Sequence, residues 1–193
     1  MNNEMLEPIR LRTPLNSHII ENLKVGNQVL LSGTIFTARD AAHQRLVEVL
    51  EAGQELPIPL DGQVIYYVGP APARPGHAIG PAGPTTAGRV DFYTPRLLEC
   101  GLKGMIGKGK RNMLVRQALR TYTAVYFVTV GGAAALIADC IKKSEMVAYP
   151  DLGTEAIYKL VVEDFSLLVA NDAHGADLFE QGRAAYRRDE IRR

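Results

Sequence analysis

Cationic side chains recur at one kind of position in this chain. Thr37-Ala-Arg39, Thr85-Thr-Ala-Gly-Arg89 and Lys108-Gly-Lys-Arg111 each follow an apolar, strand-like run and precede a helical one. In open α/β sheets such turns gather on one rim, where free helix N–H groups and the helix dipole favour an anion. Two arginine-bearing turns and a lysine-bearing one suit a small dicarboxylate, because Arg clamps a carboxylate through two parallel N–H bonds and Lys adds a point charge. The plainer alternative is solvated charge with capping threonines, in which Arg39 and Arg89 pair with Asp40 or Asp91 and Thr86 is an N-cap. Gly104–Gly109 lacks the spacing of a phosphate loop, and no dinucleotide fingerprint occurs, so a nucleotide is not the expected anion.

The elements that must carry these turns are readable as repeated units of strand, turn and helix. Gln28–Thr37 is strand-like and leads into a helix over Ala38–Ala52 that Gly53 ends, with Thr37-Ala-Arg-Asp40 as its capping signal. Val64–Val68 reads as a buried strand. Gly69–Pro84, with five of the chain's eleven prolines, reads as an ordered loop of fixed path delivering Thr85–Arg89 to a helix over about Thr86–Glu99. Gly104–Arg111 is a short strand opening into a helix with Met113, Leu114, Leu119 and Tyr122. Ala124–Val130 is a strand followed by a helix over Ala133–Lys143. Met146–Tyr149, Tyr158–Val162 and Leu167–Ala170 read as further strands, and a polar helix spans about Ala176–Arg188, its Arg187-Arg188 and Arg192-Arg193 tail a solvated end. Helices alternate with strands through the middle, which favours parallel pairing in a mixed or layered α/β domain.

Composition bounds what this body does. With 193 residues, 47% hydrophobic and 22% charged, the chain is of ordinary globular type, and one domain over 1–193 is expected. Lys and Arg number 22 against 21 acids, a net charge of +1, so no global field captures nucleic acid or an anionic membrane. The opening MNNEMLEPIRLR mixes acids with bases and has no apolar core of a leader, and no run approaches the ~18 apolar residues of a membrane span, so a cytoplasmic location is expected. Cys100 and Cys140 are far apart in sequence and cannot form a metal site by themselves; buried structural thiols are the expectation for both.

Five blocks carry a resemblance. Gly33-Thr-Ile-Phe-Thr-Ala-Arg-Asp-Ala-Ala-His-Gln-Arg45, Gly80-Pro-Ala-Gly-Pro-Thr-Thr-Ala-Gly-Arg89, Met105-Ile-Gly-Lys-Gly109, Val130-Gly-Gly-Ala-Ala134 and Leu152-Gly-Thr-Glu-Ala-Ile157 look like the signature blocks of class I, iron–sulfur fumarate hydratases. They resemble the part that is the C-terminal domain of single-chain members and a separate β subunit of two-chain members, a part shared with L(+)-tartrate dehydratase. The likeness runs in order from Leu11 to about Asp172, and the first two blocks are its specific ones.

The resemblance implies a swivelling β/β/α three-layer domain and a hydro-lyase that interconverts fumarate and (S)-malate, or acts on tartrate. It implies a [4Fe–4S] cluster whose free iron acts as a Lewis acid. It also places the three cluster cysteines on a partner α subunit, so that this chain holds no metal and joins a hetero-oligomer, such as (αβ)2. By position, Arg39 and Arg89 match carboxylate-binding arginines, Lys108 a substrate-binding lysine with Lys110 and Arg111 as competitors, and Thr86 a further substrate contact. Thr85 matches the residue that exchanges the carbon-bound proton, a role that demands strong electrostatic help because a hydroxyl is so weak an acid. Ala87 stands where some relatives have Ser. His43, one turn after Arg39, either braces the site or is simply packed, and Glu155 is an ion-pair candidate. A reading of a different class, a non-catalytic dicarboxylate-binding module, also fits the turns.

Overall fold

The computed structural model describes residues 7–187. In chain order it comprises β1 (Ile9–Arg12), α1 (Ser17–Glu21), β2 (Gln28–Thr37), α2 (Asp40–Glu51), β3 (Val64–Tyr66), α3 (Thr94–Glu99), β4 (Gly104–Gly107), α4 (Met113–Thr121), β5 (Val125–Val128), α5 (Ala134–Cys140), β6 (Ile141–Ala148), β7 (Ile157–Asn171) and α6 (Leu178–Tyr186). Short 3₁₀ turns lie at Ala87–Val90, Gly131–Ala133 and Pro150–Glu155.

All strands join one sheet in the order β1-β2-β3-β4-β5-β7-β6, and β2 also pairs with β7. That second pairing closes β2, β3, β4, β5 and β7 into a barrel, with β1 and β6 added outside the ring. The first four pairings are parallel, as the alternation of strands and helices implies, and those made by β7 are antiparallel. Closure depends on two long strands. β2 pairs with β1 through Val29–Ser32 and with β3 through Phe36–Thr37, while its other edge runs along β7 from Gln28 to Phe36.

Strand alternation divides the core into two sets. Val64, Tyr66, Val68, Ile106, Val125 and Phe127 belong to one buried cluster, completed by β7 and by Ile20 and Ile137. Their neighbours Ile65, Tyr67, Met105 and Tyr126 belong to the other, against Leu46 of α2, Leu97 of α3 and Leu119 of α4. β3–β5 are thus buried on both faces, which is why their sequences read as nearly continuous apolar runs.

Several boundaries differ from expectation for local physical reasons. The helix expected over Thr86–Glu99 is a 3₁₀ turn and then a separate α3, which restarts with a proline in its first turn. The helix expected to Lys143 stops at Cys140, and β6 begins at Ile141 without a loop. Ile137 and Ile141 are both buried and four apart, so the helical period continues into the strand. The two strands expected at Tyr158–Val162 and Leu167–Ala170 are one, β7, whose interruption at exposed Glu163 and Asp164 is a bulge opposite Ser32, next to Gly33. Asp164 has a φ of 48° there. α6 ends at Tyr186, and Arg188, Arg192 and Arg193 lie outside the described residues. Among the described residues no helix is long and apolar enough to cross a membrane.

Gly33 sits at this bulge with φ 114°, and a Cβ on it would come within 2.3 Å of the Thr13 hydroxyl oxygen and 3.2 Å of the Thr13 nitrogen. Gly33→Ala is therefore expected to lower stability by about 1–3 kcal/mol in urea unfolding, the cost of a strained backbone position. An unchanged midpoint would show that the bulge relaxes freely.

Candidate functional site

Because β2, β3, β4 and β5 run parallel, their carboxyl ends share one rim, and the three cation-bearing turns leave from it. The Thr85–Ala87 segment threads back between two of these ends. Tyr67, just beyond β3, receives both Thr85 bonds on its carbonyl oxygen, from the amide at 2.7 Å and from the Oγ1 hydroxyl at 3.0 Å. On the other side the Lys108 amide donates to the Thr85 carbonyl at 3.1 Å and the Ala87 amide to the Lys108 carbonyl at 2.9 Å. This short parallel bridge locks Thr85 and Thr86 beside Lys108.

Arg39 and Arg89 meet at Asp40. The Arg89 Nε donates to Asp40 Oδ1 at 2.9 Å, and an Arg39 terminal nitrogen lies 3.8 Å from Oδ2. The same Arg39 nitrogen is 3.3 Å from Glu155, whose other oxygen accepts from the Ala41 amide at 3.1 Å. Glu155 thus caps α2, and the capping expected of Thr37 is not made: the Thr37 hydroxyl donates to the Ala156 carbonyl and accepts from the Tyr158 amide. Gly69 makes room for Arg39, since a Cβ there would stand 2.8 Å from its Nη1. Arg39 is half-buried and Arg89 exposed. Arg39 and Arg89 thus make the ion pairing with Asp40 that the plainer alternative expected, and they make it on the shared rim.

The lysine competitors separate. Lys108 and Lys110 are exposed, and among the described residues no carboxylate lies within ion-pair distance of either. Arg111 is instead buried and unavailable to a ligand. It contacts Asp91 at 2.7 Å and donates to the Tyr67 hydroxyl at 3.0 Å and to Thr94 Oγ1 at 2.7 Å. Its guanidinium also stands 5.3 Å and 5.0 Å from the Tyr67 and Tyr126 ring centroids. Asp91 also accepts from the Asn112 amide, and the Tyr126 hydroxyl donates to the Gly109 carbonyl. These bonds tie the Lys108 loop to the Thr85–Asp91 turn. Thr86 makes no side-chain cap, so its capping alternative is not realised and its hydroxyl is left on the exposed rim.

His43 is both packed and a brace. Fully buried, it lies edge-on to Tyr67, and its Nδ1 is 2.8 Å from the Arg39 carbonyl. A carbonyl only accepts, so Nδ1 carries a hydrogen. Burial lowers its pKa to about 4, with the Arg39 carbonyl opposing and the nearby Arg111 adding to the drop. Tyr67 and Gly69 were not singled out in the sequence; a tyrosine in an apolar strand and a glycine before proline carry no local mark of a site.

The arrangement is suited to an anion with two acidic ends. Asp40 and Glu155 balance Arg39 and Arg89, so the uncompensated charge on the rim is that of Lys108 and Lys110. Thr85 places its proton on a backbone carbonyl, leaving its oxygen lone pairs as acceptors. Among the described residues no three His, Cys, Asp or Glu side chains gather to hold a metal ion, and Cys100 and Cys140 pack against different core clusters.

Comparison with known proteins points to one family. Residues 1–182 match the family model described as the fumarase C-terminus. The chain is 43% identical over 159 residues to the anaerobic class I fumarate hydratase of Escherichia coli, covering 81% of this chain and 29% of that protein. It is 39% identical over 159 residues to fumarate hydratase 2 of Leishmania major, covering 81% and 28%. A protein of Methanocaldococcus jannaschii described as an L(+)-tartrate dehydratase subunit β is 34% identical over 168 residues, covering 84% of this chain and 86% of its own. The chain thus spans about 30% of the length of the fumarate hydratases it matches.

The His43 environment predicts a pH effect of definite sign. Its folded pKa lies below the unfolded value of 6.5, so its contribution to stability is complete above pH 6.5 and is lost as pH falls towards 4. The wild-type advantage over His43→Gln in urea unfolding should shrink by about 3 kcal/mol between pH 7 and pH 4. Parallel stability curves for the two proteins would contradict a buried neutral imidazole.

Proposed function

The chain belongs to the fumarase C-terminal family, and from that membership and its cationic rim we propose that it is the β subunit of a two-chain class I fumarate hydratase. With a separate α subunit it hydrates fumarate reversibly to (S)-malate, and we read its barrel and outer helices as the swivelling β/β/α domain. The observation that carries the reading is the meeting of Arg39 and Arg89 at one carboxylate. Two guanidinium groups from different crossovers that reach the same side chain are close enough to hold the two ends of one four-carbon diacid.

In this reading Arg39 and Arg89 bind the substrate carboxylates, Lys108 supplies the unbalanced charge that attracts a dianion, and the Thr86 hydroxyl is a further contact. Thr85 exchanges the proton at carbon. To take that proton its oxygen must first give up its own hydrogen, which rests on the Tyr67 carbonyl; the reading passes that hydrogen to an acidic residue of the α subunit, and cations on the same rim stabilise the charge left on the oxygen. The chain has two cysteines where the resemblance implies three for a [4Fe–4S] cluster, so the reading assigns that group, and the Lewis acid it supplies when bound, to the α subunit.

A tartrate dehydratase β subunit is the second reading, favoured by one finding: the chain matches most of a β subunit of that description but only about a third of the fumarate hydratases. The test is anaerobic co-expression with the cluster-bearing chain and assay with (S)-malate and L-tartrate. Preference for malate is expected. Arg39→Ala, Arg89→Ala and Lys108→Ala should each lower kcat/KM by at least about 10-fold, the scale of one lost charge-assisted hydrogen bond, with native circular dichroism retained. Unchanged kinetics would remove that residue from the site. Tight calorimetric binding of fumarate by the chain alone, with no turnover by the assembly, would favour a binding module instead.

A further inference from the structure

Arg89 projects from a 3₁₀ turn at the surface, where a long side chain otherwise samples many rotamers. Among the described residues, the side-chain bond that restrains it runs from its Nε to Asp40. The backbone of Asp40 is itself set by a helix. Asp40 is the first residue of α2, where the helix dipole favours a carboxylate, and the neighbouring Ala41 amide is held by Glu155. Because Asp40 takes the Nε of Arg89, the terminal nitrogens of that guanidinium stay free to form a paired clamp on a carboxylate. The other Asp40 oxygen faces Arg39 at 3.8 Å, too long for a hydrogen bond and close enough to draw the two cations to one place.

We propose that Asp40 is a positioning residue, a helix-borne carboxylate that makes Arg89 half of a two-arginine clamp by holding its Nε edge. This rests on the substrate-binding roles given above to Arg39 and Arg89. It carries a counterintuitive sign. Asp40 is an anion beside the place where an anionic substrate binds, so charge alone predicts that its removal strengthens binding. Orientation predicts the reverse, because a swinging Arg89 must be ordered each time substrate arrives.

The sign decides between them. In the assembled two-chain enzyme, Asp40→Asn should raise KM for the dicarboxylate about 10-fold, the scale of a charge-assisted hydrogen bond, while kcat changes less than about 2-fold. Asp40→Asn combined with Arg89→Ala should bind no worse than Arg89→Ala alone, since a residue acting only through Arg89 adds nothing once Arg89 is gone. In the isolated chain, the Arg89 Nε–H signal, assigned by its loss in Arg89→Lys, should be sharp at neutral pH and broadened in Asp40→Asn. A KM that falls or stays constant in Asp40→Asn, additive losses in the double variant, or an unaltered Nε–H signal would each overturn the role. Absence of turnover by the wild-type assembly overturns the functional reading and this role with it, whereas turnover with an unaffected KM in Asp40→Asn overturns this role alone.

Discussion

Parallel alignment of four consecutive strands is the constraint on which the rest of this molecule depends. β2, β3, β4 and β5 point their carboxyl ends the same way; Arg39 and Lys108 lie just beyond two of those ends, Thr85 is hydrogen-bonded beside a third, and Arg89 reaches the start of α2. Parallel strands need long crossovers, and the crossovers here carry the arginines and lysines. β7 closes the ring antiparallel against both β5 and β2, so the rim cannot splay as the edge of an open sheet can.

Above that frame, fine positioning comes from two arginines of opposite character. Arg111 is buried, with an acid, two hydroxyls and two aromatic rings around it, and it joins the Lys108 loop to the turn that bears Thr85. Removing one partner of such a buried pair leaves an uncompensated charge, so the arrangement is costly to break. Arg39 is only half-buried, and its backbone is held by His43 while its head group is shared between Glu155 and Asp40. Tyr67 links the two, with its ring against His43, its hydroxyl on Arg111 and its carbonyl on Thr85.

What the sequence revealed and what it concealed follow a physical division. Strand runs, the parallel sense of the middle pairings and the recurrence of cations after strands are local or periodic features, and they were legible. The resemblance of the TARDAAH and TTAGR blocks then placed the chain in its family. The cap of α2 was misread because its carboxylate, Glu155, comes from 114 residues away, a relation no local pattern encodes. Arg111 was indistinguishable from Lys110 in the sequence, since burial of a cation depends on Asp91, Tyr67 and Tyr126 converging from other elements. β7 read as two strands because its bulge exposes consecutive acidic residues in mid-strand.

The claim at the centre is that Arg39 and Arg89 grip opposite ends of one small diacid. A crystal structure of the assembled two-chain complex with a four-carbon dicarboxylate bound tests it most directly. The account predicts each carboxylate within hydrogen-bond distance of a different one of these guanidinium groups, with Lys108 and Thr85 beside the carbon chain. A diacid bound away from this rim, or held by partner residues while Arg89 points into solvent, would contradict it.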